Sequence, residues 1–272
     1  MVQSFFVPGL TEYLLTDSFP RMNNTDSSPR AIRRRRLYAV FEIIMVSGIV
    51  SSFMVSLVFA MVFFIMFGRA RLNIMEMDIS FLVAYTLFES AVAFLILFML
   101  MKARGETLSM LGLRRQQWKT NVVFGILAAL CLLVVSGATG VLFKIFLPEY
   151  ALEKNPLIEM VHSPRQLILF IFTLIVAGGI KEEMQRAFIL RRFSHHLGGA
   201  GIGLVIWSLA FGAGHSAQGL QGMCTAAILG LIFGALYLMS GNLLLPITAH
   251  ALYNTMTLLL YWFTIGINKQ IP

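Results

Sequence analysis

The chain has 272 residues, of which 58% are hydrophobic and only 12% are charged, and its mean hydropathy is +0.79. Because soluble domains contain about 25% charged residues, this composition excludes an ordinary soluble domain and indicates an integral membrane protein. The apolar segments are long enough to cross a bilayer as helices, which require about 20 residues each. The net charge of +8 does not indicate a nucleic-acid partner, because no basic segment is interleaved with aromatic residues.

The amino-terminal region, residues 1–36, is predicted to be a flexible, basic, cytoplasmic tail. The stretch from Asn23 to Pro29 offers too little apolar surface to offset the entropy cost of ordering. Arg33–Arg36 follows it and is interpreted as a cytoplasmic anchor beside the first membrane helix. No cleavable signal peptide is expected, since the first 30 residues lack a compact apolar core after a basic start.

Seven apolar segments follow, and they predict an all-α transmembrane bundle of about seven to eight helices with an intramembrane polar cavity. Basic residues in the tail, in the 102–119 loop and after Ile180 place the amino terminus in the cytoplasm, with the plasma (inner) membrane as the expected location. With seven spans the carboxyl terminus is expected outside the cell. An eighth short or re-entrant segment would overturn that placement. The segments cover residues 38–67, 79–101, 121–147, 166–190, 201–216, 223–240 and 244–266.

Two acidic residues lie inside the early apolar segments. Glu42 is close to the start of its helix and is interpreted as reaching the membrane interface. Glu89 is near the middle of its segment, so it is either hydrogen-bonded between helices or handles protons.

The strongest functional signal is the pair Glu182 and Glu183, which follows directly on the apolar run from Leu167 to Ile180 and is accompanied by Arg186. An unpaired charge at membrane depth costs roughly 2.5 to 3.5 kcal/mol on insertion scales. Two adjacent carboxylates in this position are therefore predicted to be a reactive centre.

Two further segments place polar side chains in apolar surroundings. Phe211 lies one helical turn before His215, and Asn254 lies one turn after His250. A single buried histidine is more often structural than catalytic. Polar faces on three segments, however, lower their free energy by meeting inside the bundle. Carboxylates, two imidazoles and a carboxamide suit activation of water and stabilisation of an oxyanion, and His215 and His250 with a carboxylate would also suit a catalytic zinc ion.

The order of these motifs, Glu-Glu…Arg, Phe-x-x-x-His and His-x-x-x-Asn, resembles the CPBP (Abi) family of intramembrane proteases, whose eukaryotic relatives are the CAAX endopeptidases. The resemblance covers about residues 165–260. It implies a bundle with an intramembrane cavity in which the first glutamate activates water, and it divides the chain into N-terminal transmembrane helices (37–164), catalytic helices (165–266) and a tail (267–272). The residues that it implies for the site are Glu182, Glu183, Arg186, His215, His250 and Asn254.

One spacing departs from the family pattern. The family usually reads Glu-Glu-x-x-x-Arg, whereas only two residues separate Glu183 from Arg186 here. Alignment on Arg186 would put Lys181 in the place of the first glutamate, and a lysine cannot act as a carboxylate base. Alignment on the acidic pair is therefore preferred, and the division of roles between Glu182 and Glu183 stays open.

Straight helices would also place two site residues at different depths. His215 would lie about 21 Å along its segment and His250 about 9 Å along its own. Tilted helices, or a break at Gly212 and Gly214, would bring them together.

The sequence thus favours an intramembrane endopeptidase that hydrolyses a peptide bond of a membrane-associated protein. A CAAX-type prenylated peptide is the substrate that the eukaryotic resemblance suggests, and nucleic acid is not an expected partner. Zinc is a possible cofactor that the sequence does not decide. The alternatives are a non-catalytic scaffold or immunity protein of the same fold and a proton-coupled transporter, which the absence of internal repeats disfavours.

Overall fold

A computed structural model describes residues 28–67, 79–152 and 155–268, and all regular structure in these ranges is helical. The prediction of an all-α bundle is confirmed. The predictions for the tail before Ser28, for the loop 68–78 and for the last four residues fall outside the described ranges.

Eight helical rods make up the described part of the bundle. The fifth rod is continuous, but its central part is a π-helix that separates two α-helical parts. The helices are α1 (Pro29–Val46), α2 (Ile49–Phe67), α3 (Ile79–Ala103), α4 (Trp118–Phe146), α5 (Pro164–Thr173), the π-helix (Leu174–Lys181), α6 (Glu182–His196), α7 (Ala200–Ala213), α8 (Gly219–Ser240) and α9 (Leu244–Asn268).

Local sequence signals explain several helix ends. The hydroxyl of Ser28 accepts a hydrogen bond from the amide of Ala31 at 3.3 Å, and the hydroxyl of Ser163 accepts one from the amide of Gln166 at the same distance. In both helices a proline follows the cap, where its missing N–H costs nothing. At the end of α8, Gly241 adopts φ +60°, the left-handed conformation that commonly terminates a helix.

Several helices are long and apolar enough to cross a membrane. Among the described residues three satisfy both criteria: α3, α4 and the stretch 216–240. A fourth is added if α1 and α2, which are bent by 42° at their junction, form one broken span. These helices indicate an integral membrane protein. The predicted segment 201–216 is shorter than expected, because α7 contains only 14 residues.

The rod formed by α5, the π-helix and α6 positions the acidic pair. Its π-helix lies against α9 through two small residues, and a Cβ atom on Gly179 would come within 2.7 Å of the Cβ of Ala251. This close approach brings the first turn of α6, which begins at Glu182, alongside the segment of α9 that carries His250. π-helical segments are often found at functional sites.

Candidate active site

Glu183 lies at the centre of the site and is only 1% exposed. Its Oε1 accepts a hydrogen bond from Nδ1 of His250 at 2.7 Å and a second from Nη1 of Arg186. The second carboxylate oxygen, Oε2, has no hydrogen-bond partner among the described residues. Glu183 therefore forms a buried ion pair within α6 and a hydrogen bond to α9, and both use the same oxygen.

Glu182 approaches the opposite side of the same imidazole. Its Oε2 lies 3.7 Å from Nε2 of His250, and its side chain is 25% exposed, compared with 0% for the Glu183 side chain. The two carboxylates therefore flank His250. Glu182 is the one that the surrounding protein leaves partly uncovered.

The tautomers of both histidines follow from their hydrogen-bond partners. Nδ1 of His215 lies 2.8 Å from the carbonyl oxygen of Phe211, which can only accept, so this nitrogen carries the proton. Nδ1 of His250 likewise donates to the Glu183 carboxylate. Each neutral imidazole then has a free lone pair on Nε2, which can accept a hydrogen from water. Either Nε2 can donate to an oxyanion only as an imidazolium.

Asn254 is held beside the π-helix by the absence of a side chain at Gly178. A Cβ atom at position 178 would lie 2.4 Å from Nδ2 of Asn254 and 3.7 Å from Nε2 of His250. Only glycine leaves room for the carboxamide in this place.

His215, His250 and Asn254 all line one cavity of 140 Å³. The helix break expected near Gly212 and Gly214 is present, because α7 ends at Ala213 and His215 follows in the turn that leads to α8. The other lining residues come from the segment before α5, which includes the short helix Pro156–Glu159, from α5 and the π-helix, from α7 and the turn that follows it, and from α8 and α9: Asn155, Ile158, Phe170, Leu174, Phe211, Gln218, Gly222, Thr225, Ala226, Leu229, Phe233, Tyr253, Thr257 and Leu258.

Two phenylalanine rings enclose the charged groups. The guanidinium carbon of Arg186 lies 4.9 Å from the ring centroid of Phe211 and 5.5 Å from that of Phe233. The ring of His250 stacks on Phe233 at 4.3 Å and meets Phe211 edge-on at 6.2 Å. Arg186 is 1% exposed, so its charge interacts with the Glu183 carboxylate and, through cation–π contacts, with these two ring faces.

The structure thus brings together all six residues that the sequence singled out. Lys181, which the alternative alignment would have placed at the first glutamate position, lies in a different contact. Its Nζ donates to Oε2 of Glu89 at 2.7 Å, and the hydroxyl of Ser51 donates to the other oxygen at 2.6 Å. Of the two interpretations of Glu89, this geometry favours the hydrogen-bonded inter-helix residue.

A second group of paired charges lies near the far end of α6. We call this group the charge cluster, and its members are Glu42, Arg104, Glu106, Arg191 and Arg192. Arg192 donates from Nη1 and Nη2 to Glu106 at 2.8 Å each, and from Nε to Glu42 at 2.6 Å. Glu42, which the sequence placed near the membrane interface, is 5% exposed and bound to two arginines, so its charge is balanced inside the protein. Sequence reasoning missed this pairing because its partners are 62 and 150 residues away.

The charge cluster shifts the pKa values of groups beyond the predicted membrane segment. Burial would raise the pKa of Glu106, but hydrogen bonds and charges from Arg192 and Arg191 outweigh it and lower the pKa. Burial, together with the positive charge of Arg191, lowers the pKa of His195 to about 4.

The donor set does not match a catalytic zinc site. Such sites use three protein ligands and one open position. Within residues 28–67, 79–152 and 155–268, no group of three or more His, Cys, Asp or Glu side chains could hold a metal ion. His215 and His250 supply two imidazoles, one ligand fewer than a catalytic zinc site uses.

Comparisons with known proteins agree with the motifs. No curated protein and no solved structure gave a significant match to the chain. Residues 163–256, about a third of the chain, match the family model described as "Type II CAAX prenyl endopeptidase Rce1-like". All six candidate site residues lie inside the matched range. This region therefore carries the sequence pattern of the Rce1-like protease family, consistent with the CPBP family that the motifs resemble.

Proposed function

We propose that the protein is an intramembrane endopeptidase in which Glu182 activates water beside His250. The observation that carries this proposal is the arrangement of two carboxylates on opposite sides of one imidazole, next to a cavity lined by His215 and Asn254. The Glu183 carboxylate is paired with Arg186, whereas the Glu182 carboxylate is not. That asymmetry is what a general base and its support require.

In the proposed reaction Glu182 takes a proton from water as the water oxygen bonds to the carbonyl carbon of the substrate. The second O–H of the same water donates to the Nε2 lone pair of His250, which orients the water, while His215 lines the adjacent cavity. The carboxamide N–H of Asn254 donates to the developing oxyanion. The intermediate then collapses, the C–N bond breaks, and Glu182 returns the proton to the leaving nitrogen.

Glu183 and Arg186 act on this chemistry through His250. The ionised carboxylate of Glu183 holds the proton on Nδ1 and keeps the lone pair on Nε2. Arg186 neutralises Glu183 in an interior that would otherwise contain an unpaired charge, which costs several kcal/mol. The shortened spacing between the acidic pair and the arginine is compatible with this role, because Arg186 reaches Glu183 at i,i+3.

The substrate class proposed is a membrane-associated protein with a prenylated cysteine near its carboxyl end, which is what the name of the matched family describes. A cavity inside a helical membrane bundle is suited to a peptide whose lipid keeps it at the bilayer.

The test is cleavage of an internally quenched peptide that ends in a farnesylated cysteine, two aliphatic residues and a terminal residue, with the unprenylated peptide as a second probe. Glu182→Gln is expected to lower kcat by about 100-fold or more, the usual contribution of a general base. Glu89→Gln is the matched control, because it neutralises another buried glutamate that lies outside the site. Wild-type cleavage by folded Glu182→Gln protein would refute the assignment, and absence of cleavage by the wild type would favour the scaffold alternative.

A further inference from the structure

Phe233 on α8 belongs to none of the motifs, yet it makes the closest ring contact to the site. Its side chain is 1% exposed, and its ring lies 4.3 Å from the ring of His250 with an angle of 18° between the planes. The two rings are therefore stacked face to face, which gives the imidazole one flat neighbour.

The same ring also contacts the other partner of Glu183. The guanidinium carbon of Arg186 lies 5.5 Å from the Phe233 centroid, and Arg186 and His250 both donate to Oε1 of Glu183. Phe233, His250, Glu183 and Arg186 thus form a closed ring of contacts between α6, α8 and α9. Movement of any one member disturbs at least two of these contacts.

The surface of α8 around Phe233 is shaped for this arrangement. A Cβ atom on Gly230 would lie 3.2 Å from Cδ1 of Phe211, and one on Gly234 would lie 2.3 Å from Cδ1 of Leu204. The two glycines beside Phe233 therefore allow Phe211 and Leu204 of α7 to pack closely against α8.

The stack and the hydrogen bond restrain different motions of the imidazole. The bond from Nδ1 to Glu183 fixes the direction in which that nitrogen points, but the ring can still tilt about it. The stack on Phe233 fixes the plane of the ring. Together they determine where Nε2 points, and in the proposed reaction this atom orients the attacking water.

We propose that Phe233 is a positioning residue of the peptidase: it sets the plane of His250 and so aligns Nε2 with the water held near Glu182. This inference rests on the proposed function. It predicts a large effect on the chemical step and only a small one on substrate binding, since Phe233 acts through His250 and is one of many residues that line the cavity.

The test is the kinetics of Phe233→Leu with the farnesylated probe. Leucine fills much of the space but has no flat face, so kcat is expected to fall by about 10-fold to 100-fold, the range for groups that orient a catalytic residue. KM is expected to stay within about twofold, because only the transition state loses an interaction. Phe233→Tyr keeps the ring face and is expected to restore most of kcat.

Leu132→Ala is the control for general loosening of the core. Leu132 is 1% exposed and belongs to the same hydrophobic cluster as Phe233, but it does not line the cavity. Wild-type kcat in Phe233→Leu, a change confined to KM, or an equal loss of kcat in Leu132→Ala would each overturn the proposal. If Phe233→Leu does not fold, Phe233→Met, an unbranched side chain that adapts to irregular spaces, is judged by the same outcomes.

Glu182→Gln in the same assay separates this inference from the proposed function. If Glu182→Gln is inactive and Phe233→Leu keeps full kcat, the peptidase assignment stands and only the role of Phe233 is wrong. If Glu182→Gln is fully active, both fail together.

Discussion

Two sets of buried acid and arginine side chains on or around α6 differ in how completely the carboxylates are used. In the charge cluster, both oxygens of Glu106 accept hydrogen bonds from Arg192, and both oxygens of Glu42 bind arginines. In the site, Glu183 uses one oxygen, and the ionic contact of Glu182 among the described residues is the one to His250 at 3.7 Å.

This difference in pairing shows how α6 can carry both a stabilising ion-pair cluster and a candidate active site. A carboxylate whose two oxygens both accept hydrogen bonds from arginines is held by those partners, and it stabilises the bundle. A carboxylate beside an imidazole and a cavity keeps more capacity to bind a substrate or a water. Residue types alone do not separate the two cases, but their remaining hydrogen-bonding capacity does.

The largest effect is expected when the charge cluster loses its central cation. Arg192→Leu leaves two buried carboxylates incompletely paired, and removing one partner of a buried ion pair typically costs about 3 to 5 kcal/mol. Thermal unfolding in detergent should show a strong loss of stability. Arg104→Leu, which removes only one contact to Glu42 from a side chain that is 23% exposed, should cost less. Equal stability of Arg192→Leu and wild type would show that the cluster is not an anchor.

The next largest effect is expected when Glu183 in the site loses its charge. Glu183→Gln keeps the shape of the side chain but removes the charge that holds the proton on Nδ1 of His250. We expect kcat for the farnesylated probe to fall by about 100-fold, comparable to a lost orienting group at a catalytic residue. Glu106→Gln is the matched variant in the charge cluster and should lower the thermal stability while leaving kcat of the folded protein near the wild-type value. A reversed pattern would contradict the division between site and anchor.

Gly178→Ala tests the packing that holds Asn254. The new Cβ atom would lie 2.4 Å from Nδ2 of Asn254, so the carboxamide must move. Since a displacement of about 1 Å can cost about 100-fold in rate, we expect kcat to fall by at least about 10-fold. Gly137→Ala in α4 is the control, because a Cβ atom there meets nothing within 4 Å. Unchanged kcat in Gly178→Ala would remove Asn254 from the proposed mechanism.

A smaller effect is expected from acid. The pKa of His195 is about 4 in the folded protein, below its ordinary value of 6.5, because burial and Arg191 disfavour the charged imidazole. The unfolded chain therefore binds a proton first as the pH falls below about 6.5, and stability decreases from there toward pH 4. Melting temperatures at pH 7 and pH 5 should differ more for the wild type than for His195→Gln. Equal differences would show that His195 makes no contribution.

The smallest effect is expected from chelators. No step of the proposed reaction passes through a metal, so incubation with 1,10-phenanthroline should leave kcat within about twofold of the untreated protein. Loss of cleavage that added zinc restores would instead support the alternative in which His215 and His250 bind zinc.

The sequence was sufficient for the helical class, and it singled out polar residues that the fold places near His250. Each motif is local: Phe211 with His215 and His250 with Asn254 are one helical turn apart, and apolar surroundings give these polar side chains few partners except one another. Helix length was harder to predict, since α7 ends at Ala213, before the end of its apolar segment.

Long-range pairing could not be predicted from the sequence. Arg191 and Arg192 were counted as cytoplasmic charges, yet both are buried and bind acids from distant segments. The positive-inside rule counts charges and does not distinguish a solvated arginine from one with a buried partner. For Phe233 the available signal was the pair of glycines, Gly230 and Gly234, that flank it in α8.

The central claim is that Glu182 and His250 share a water inside the bundle, and a high-resolution experimental structure in a lipid environment tests it most directly. The account predicts an ordered water within hydrogen-bond distance of both the Glu182 carboxylate and Nε2 of His250, with Asn254 lining the same cavity. A structure in which these side chains face lipid, or lie about 10 Å or more apart with no path for water, would contradict it.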